Sequence, residues 1–189
     1  MERSEHGSRA ALDAMTSQQA VSYWLMPCPQ AQTAFEELCK RASRGLRACT
    51  LPPHITLYSD RLDSEDNAID HLRQVAEGRK PVLLSPRAIE AGPLFTRSLV
   101  VRFDASEELT HWCTQLRERS PQGLDYHLNP HLSLLYSAEP LAEKQTLARQ
   151  LPLPAPALFN RVRAVVHPLT ITTEADIAAV ATLHDHTLA

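Results

Sequence analysis

Two short runs of this chain carry the same kinds of residue in the same order. Pro53-His54-Ile55-Thr56-Leu57-Tyr58 is answered 77 positions later by Pro130-His131-Leu132-Ser133-Leu134-Leu135-Tyr136. Each run puts a histidine and a hydroxyl residue two apart within an otherwise apolar stretch. What precedes them repeats as well. Phe35, Leu38, Cys39 and Ala42 recur at i, i+3, i+4 and i+7, and so do Leu109, Trp112, Cys113 and Leu116. That spacing predicts one amphipathic helix ahead of each run. Two copies of such a unit are too few for a solenoid, which needs three or more. The pattern therefore predicts a duplicated fold whose two halves face each other.

The remaining segments fill in both copies. Val21–Met26 is aromatic and apolar and stops at Pro27, which suits a strand, and His54–Tyr58 is a second one. Ala68, Ile69, Leu72, Val75 and Ala76 make a helix introduced by Ser64, Glu65 and Asp66, and Val82–Ile89 reads as a third strand. Gly92-Pro93 then breaks the chain before the strand Leu99–Phe103. After His131–Tyr136 come a weaker helix from Pro140 to Gln150, a strand from Val162 to Val166, and a closing strand expected over Ile177–Leu183. The expected architecture is α+β and bilobed: duplicated βαβαβ units with antiparallel sheets lining a central cleft and helices outside. Residues 1–17 are polar and aperiodic and are expected to form a mobile tail ahead of a single domain over 18–189.

With 189 residues, 43% of them hydrophobic, the chain can bury one sizeable core. A formal charge of -3 gives no electrostatic reason for tight binding to long nucleic acid. No apolar run approaches a membrane span and the first residues lack a signal-peptide core, so a cytoplasmic protein is expected. Cys28, Cys39, Cys49 and Cys113 show no C-x-x-C spacing. Cys39 and Cys113 fall on apolar helix positions and read as buried thiols, with a Cys39–Cys49 disulfide left open.

Side chains alternate along a strand, so His54 and Thr56 share one face, roughly 6 to 7 Å apart, and His131 and Ser133 do the same. Polar groups on a strand face need partners or water, which a cleft provides. Two imidazoles and two hydroxyls opposed across a cleft form the set required to open a phosphodiester. One neutral histidine removes a proton from water while the other, protonated, delivers one to the leaving oxygen. Thr56 and Ser133 can donate to the non-bridging oxygens. No metal or other cofactor is called for, and one histidine per strand is a poor basis for a metal site.

The paired His-x-Thr/Ser motifs, the proline before each histidine, Ser22-Tyr-Trp-Leu-Met-Pro27 and Asn129–Tyr136 together resemble the 2H phosphoesterase superfamily, within it the cyclic phosphodiesterase-like group. The resemblance spans residue 20 to the C-terminus. It implies the bilobed fold and hydrolysis of a nucleoside 2′,3′-cyclic phosphate or of ADP-ribose 1″,2″-cyclic phosphate. It implies catalytic roles for His54 and His131, with Thr56, Ser133 and Tyr136 binding the substrate phosphate. The segment Phe95-Thr96 departs from the group, where a more aromatic stretch is expected. The implied partner is a small cyclic nucleotide, met by a monomer, with RNA 2′,3′-cyclic or 2′-5′ ends as the alternative substrate. A binding module that keeps the cleft without turnover is the alternative from a different class.

Other residues invite blander readings. Tyr58 and Trp24 are expected in the core. His71, His111, His127 and His167 are expected to be exposed or locally satisfied, and His184 and His186 to lie in a frayed end. Arg97, Arg102, Arg161 and Arg163 are candidates for a local basic patch beside the cleft.

Overall fold

The computed structural model describes residues 19–120 and 125–189. The expected tail lies outside them. In chain order the elements are β1 (Gln19–Pro27), α1 (Pro29–Ala42), β2 (Ile55–Arg61), α2 (Glu65–Ala76), β3 (Val82–Leu84), β4 (Pro86–Ala91), a 3-10 turn (Phe95–Arg97), β5 (Leu99–Phe103), α3 (Glu107–Glu118), β6 (His131–Leu135), α4 (Leu141–Gln150), β7 (Ala157–Pro168), α5 (Glu174–Ala178) and β8 (Ala181–Thr187). The strands form one eight-stranded sheet of order β3-β7-β1-β2-β6-β5-β4, with β8 also paired to β7. Every pairing is antiparallel. The expected α+β architecture is present, its two halves joined where Ile55 of β2 pairs with Leu132 of β6.

The helices form where apolar periodicity and caps agree. Ser64 caps α2 by accepting from the Asn67 N–H, and Ser106 caps α3 by accepting from that of Leu109. The apolar stripes foreseen for α1 and α3 are all buried. They pack in one core with Ile55, Leu57, Leu132, Leu134, Phe103 and Phe159. That core covers one face of the sheet. On the other face, Trp24, Met26 and Val165 form a small separate cluster.

Four expectations need correcting. The strand foreseen over Val82–Ile89 is two strands at opposite parts of the sheet: β3 pairs β7, whereas β4 pairs β5. The chain changes halves at Ser85-Pro86, where proline supplies no N–H to continue a ladder. Ile177 is not in a strand but buried in α5, because Thr173 and Asp176 build a capping box that starts a helical turn. The closing strand begins only at Ala181, and it takes His184 and His186 into pairing with Ala164 and Val162 instead of leaving them frayed. β7 also starts earlier than expected, inside the proline-rich stretch. All four cysteines are free, so Cys39 and Cys49 are not bridged.

Trp112 anchors the core beneath α3, fully buried with the Arg79 guanidinium 5.4 Å from its ring. Trp112→Ala is expected to lower unfolding free energy by about 3–5 kcal/mol, measured by urea titration.

Candidate active site

The joint between the halves sets the geometry of the candidate residues. Ile55 and Leu132 are direct partners in an antiparallel pair, and both are fully buried in the helix-side core. Their neighbours in sequence must point to the opposite face. Continuing the antiparallel register places His54 across from Ser133 and Thr56 across from His131. The two histidines then lie on a diagonal, with Cβ atoms at or somewhat under about 7–8 Å on an ideal ladder. All four side chains line one cleft of about 530 Å³, together with Tyr136. That volume is in the range of small-ligand sites.

The two histidines are held alike. His54 Nδ1 is 2.7 Å from the Pro52 carbonyl oxygen, and His131 Nδ1 is 2.6 Å from that of Asn129. A carbonyl can only accept, so each Nδ1 carries its hydrogen and each Nε2 is left free for proton transfer. In both cases the acceptor lies two residues back, across a proline. On the β6 side the anchor is itself held: Arg102, which pairs with His131 across β5–β6, donates to the Asn129 side chain and to Glu90 at 2.7 Å.

Burial sets the protonation of the pair. His54 is 7% exposed and stacks on Trp24, with ring centroids 3.6 Å apart and planes 11° from parallel. Loss of water pushes its pKa down to about 3, against the Pro52 hydrogen bond, with small further contributions from His131, Arg163 and His167. Burial also lowers His131, helped by Arg102 and Arg97 and opposed by the Asn129 bond. Tyr136, buried, has its hydroxyl pushed up to about 12, which keeps it a donor. Ser133 Oγ is 3.3 Å from the Thr96 carbonyl oxygen, and the 3-10 turn brings Thr96 and Arg97 to the cleft. Gly92 permits that turn, since a Cβ there would run into the Arg97 carbonyl oxygen.

Several lining residues were not singled out from sequence for this place. Trp24 covers one face of His54. Ser22, Ser59 and His167 also line the cleft and bond to one another. Of the four arginines, Arg97 lines it, while Arg163 is held by Asp185 at 2.8 and 2.7 Å and Arg161 by Gln32 at 2.9 Å. Tyr58 is fully buried, as expected, and His127 is exposed at the rim beside Asp125, at 3.2 Å. Phe95 lies outside the cleft lining, its ring 6.2 Å from that of Tyr136.

A family model described as the 2′-5′ RNA ligase superfamily matches residues 26–169, a span holding both histidine motifs. The chain belongs to this superfamily. It is thus a 2H phosphoesterase by family, as its motifs suggest. No curated protein matches it. Solved structures share the superfamily member's fold at low identity. TT0787 of Thermus thermophilus is 17% identical, with a TM-score of 0.61 over 89% of this chain and 97% of that one. E. coli LigT in complex with 3′-AMP is 16% identical, with a TM-score of 0.51 over 90% and 98%. Kluyveromyces marxianus Usb1 is 13% identical, with a TM-score of 0.51 over 89% and 99%. Among the described residues no helix is long and apolar enough to cross a membrane.

Because burial holds His54 neutral, acid should destabilise this superfamily member. The unfolded chain, with histidines near 6.5, binds protons first as pH falls. Stability is therefore expected to drop from about pH 6.5 downward, continuing toward the folded value near 3. His131 and His167, also lowered, act in the same direction. Thermal midpoints from pH 7 to 4 should fall less steeply in His54→Gln; an equal slope would show that His54 is not the buried neutral group described.

Proposed function

We propose that the protein hydrolyses a cyclic phosphodiester, a nucleoside 2′,3′-cyclic phosphate or ADP-ribose 1″,2″-cyclic phosphate, by two-histidine acid–base catalysis. The observation that carries this reading is the pair of imidazoles on one sheet face, each tied through Nδ1 to a carbonyl two residues back and each left with a free Nε2. In-line opening of a phosphodiester needs a base on one side of phosphorus and an acid on the other, and a diagonal placement about 7–8 Å apart brackets one phosphate.

His54, the more strongly lowered of the two, accepts the proton of the attacking water. His131 protonates the leaving oxygen. Both are neutral in the free protein near pH 7, and the negative charge of the arriving diester raises the pKa of His131 so that it is loaded as the acid. Thr56 and Tyr136, and Ser133 once its hydroxyl turns from the Thr96 carbonyl, donate to the non-bridging oxygens, where charge accumulates. Side chains supply every proton transfer in this scheme, so no metal ion is required. The fold relatives support a nucleotide or phosphate ligand: LigT has been solved with 3′-AMP, with phosphate, with ATP and with NADP+.

Processing of RNA termini is the second reading, favoured by the superfamily's description. Turnover of 2′,3′-cyclic-ended oligonucleotides measured against mononucleotides separates the two. Calorimetric binding without any product would instead indicate a sensor.

His54→Ala and His131→Ala are each expected to lower turnover of 2′,3′-cyclic AMP by on the order of 10² to 10⁴ in excess chelator, with folding retained. Full activity in either would remove the assignment. With both histidines lowered, kcat/KM is expected to rise from pH 8 toward an optimum on the acid side of 6.5, because His131 must be protonated; a rise toward alkaline pH would show that no protonated histidine is needed and would remove the acid role.

A further inference from the structure

A third histidine shares the cleft floor, in a chain of hydrogen bonds whose direction can be derived. His167 Nδ1 is 2.8 Å from the Pro168 carbonyl oxygen, and its Nε2 is 2.7 Å from Ser22 Oγ. Ser22 Oγ is in turn 2.6 Å from Ser59 Oγ. The carbonyl only accepts, so Nδ1 bears the hydrogen, and burial keeps the ring neutral. Nε2 must then accept from Ser22. With its one hydrogen spent there, Ser22 can only accept from Ser59. Each donor in the chain is consumed inside it, and what remains toward the cleft is the lone pairs of Ser59 and Ser22.

Ser59 reaches the cleft because the strand is irregular. Ser22 pairs with Ser59 and Tyr23 with Tyr58, but Trp24 pairs with Thr56, leaving Leu57 as an extra residue on β2. Such a bulge reverses the alternation beyond it. Without it, Thr56 and Ser59, an odd number apart, would face opposite sides. The cleft is also lined by Leu51 and Val180, which pack against the Trp24 cluster on the strand that carries Ser22. Arg97 and Asn129 line it through the other half of the fold. The lone pairs of the two serines thus lie beside apolar side chains, and Arg97 supplies a cation from the other half.

We propose that the Ser22–Ser59–His167 chain is a nucleobase subsite, with Ser59 accepting from the exocyclic amine of a base that lies over Leu51 and Val180. This rests on the proposed function of the neighbouring phosphate site and names the part of the substrate that lies beyond the phosphate. Ser59 is roughly 7 Å along the strand from Thr56, a reach compatible with one nucleoside. The serine lone pairs favour the exocyclic amine of adenine or cytosine over uracil, whose exocyclic carbonyls would meet those lone pairs.

The test is calorimetric binding of adenosine, cytidine and uridine 3′-phosphates to wild type, Ser59→Ala and Ser59→Thr, which needs no turnover. The wild type is expected to bind the adenine and cytosine nucleotides about five- to tenfold more tightly than the uracil one, a difference of one good hydrogen bond. Ser59→Ala should abolish that preference and Ser59→Thr should keep it. Equal binding of all three by the wild type, equal weakening of all three in Ser59→Ala, or no binding of any would overturn the subsite. Base-dependent binding with no ring opening of the cyclic nucleotides would instead leave the subsite standing and remove the proposed hydrolysis.

Discussion

The pairing of Ile55 with Leu132 is the constraint from which the cleft follows. It is short, a single residue pair, and its strength comes from the core side, where both side chains are fully buried among the helices. Strand side chains alternate, so a slip of one residue would drive His131 and Ser133 into that core and lift Leu132 and Leu134 into the cleft. The cost of burying an imidazole and a hydroxyl without partners forbids it. Bonds beyond the pair support the register: the Tyr126 hydroxyl donates to the Thr56 carbonyl at 2.9 Å, and the Phe103 N–H to that of Pro130 at 3.1 Å. Antiparallel pairing at the central residue of each motif gives the two histidines their local two-fold relation.

The same burial that fixes register also sets charge. Trp24 covers one face of His54, and water lost there favours the neutral ring. In a cleft whose histidines are neutral when empty, an anion gains their full charge attraction only with uptake of a proton, so its binding weakens as pH rises above the lowered pKa values. The two Nδ1–carbonyl bonds matter for this, since they partly resist the loss of basicity and prevent the ring from presenting the wrong nitrogen.

Much of this was legible in the sequence, and the gaps have physical causes. Apolar periodicity located α1, α2 and α3, and the paired motifs located the four polar residues found on one face, because period-two and period-3.6 patterns are local properties. The division of Val82–Ile89 was not legible, since two successive strand-forming runs look like one when only the tertiary pairing separates them. Thr173 and Asp176 did carry a local capping signal for α5, but the apolar run from Ile177 onward reads equally as a strand. His167 and Ser59 were invisible as site residues for another reason. One comes from a strand more than a hundred residues from Ser22, and the other reaches the cleft only through a bulge that alternation cannot foresee.

The two copies of the motif agree where the chemistry is the same and differ where it is not. Each has histidine, hydroxyl residue, preceding proline and carbonyl anchor in matching positions. Next to those positions they part: Trp24 lies across from Thr56 in one half, and Arg102 lies across from His131 in the other. An indole removes water and lowers the basicity of the ring it covers. A guanidinium committed to Glu90 and Asn129 instead fixes the carbonyl that orients its histidine. Duplication sets the two imidazoles symmetrically on one sheet face, and these unlike neighbours break the symmetry, an indole covering one ring and a committed guanidinium holding the anchor of the other.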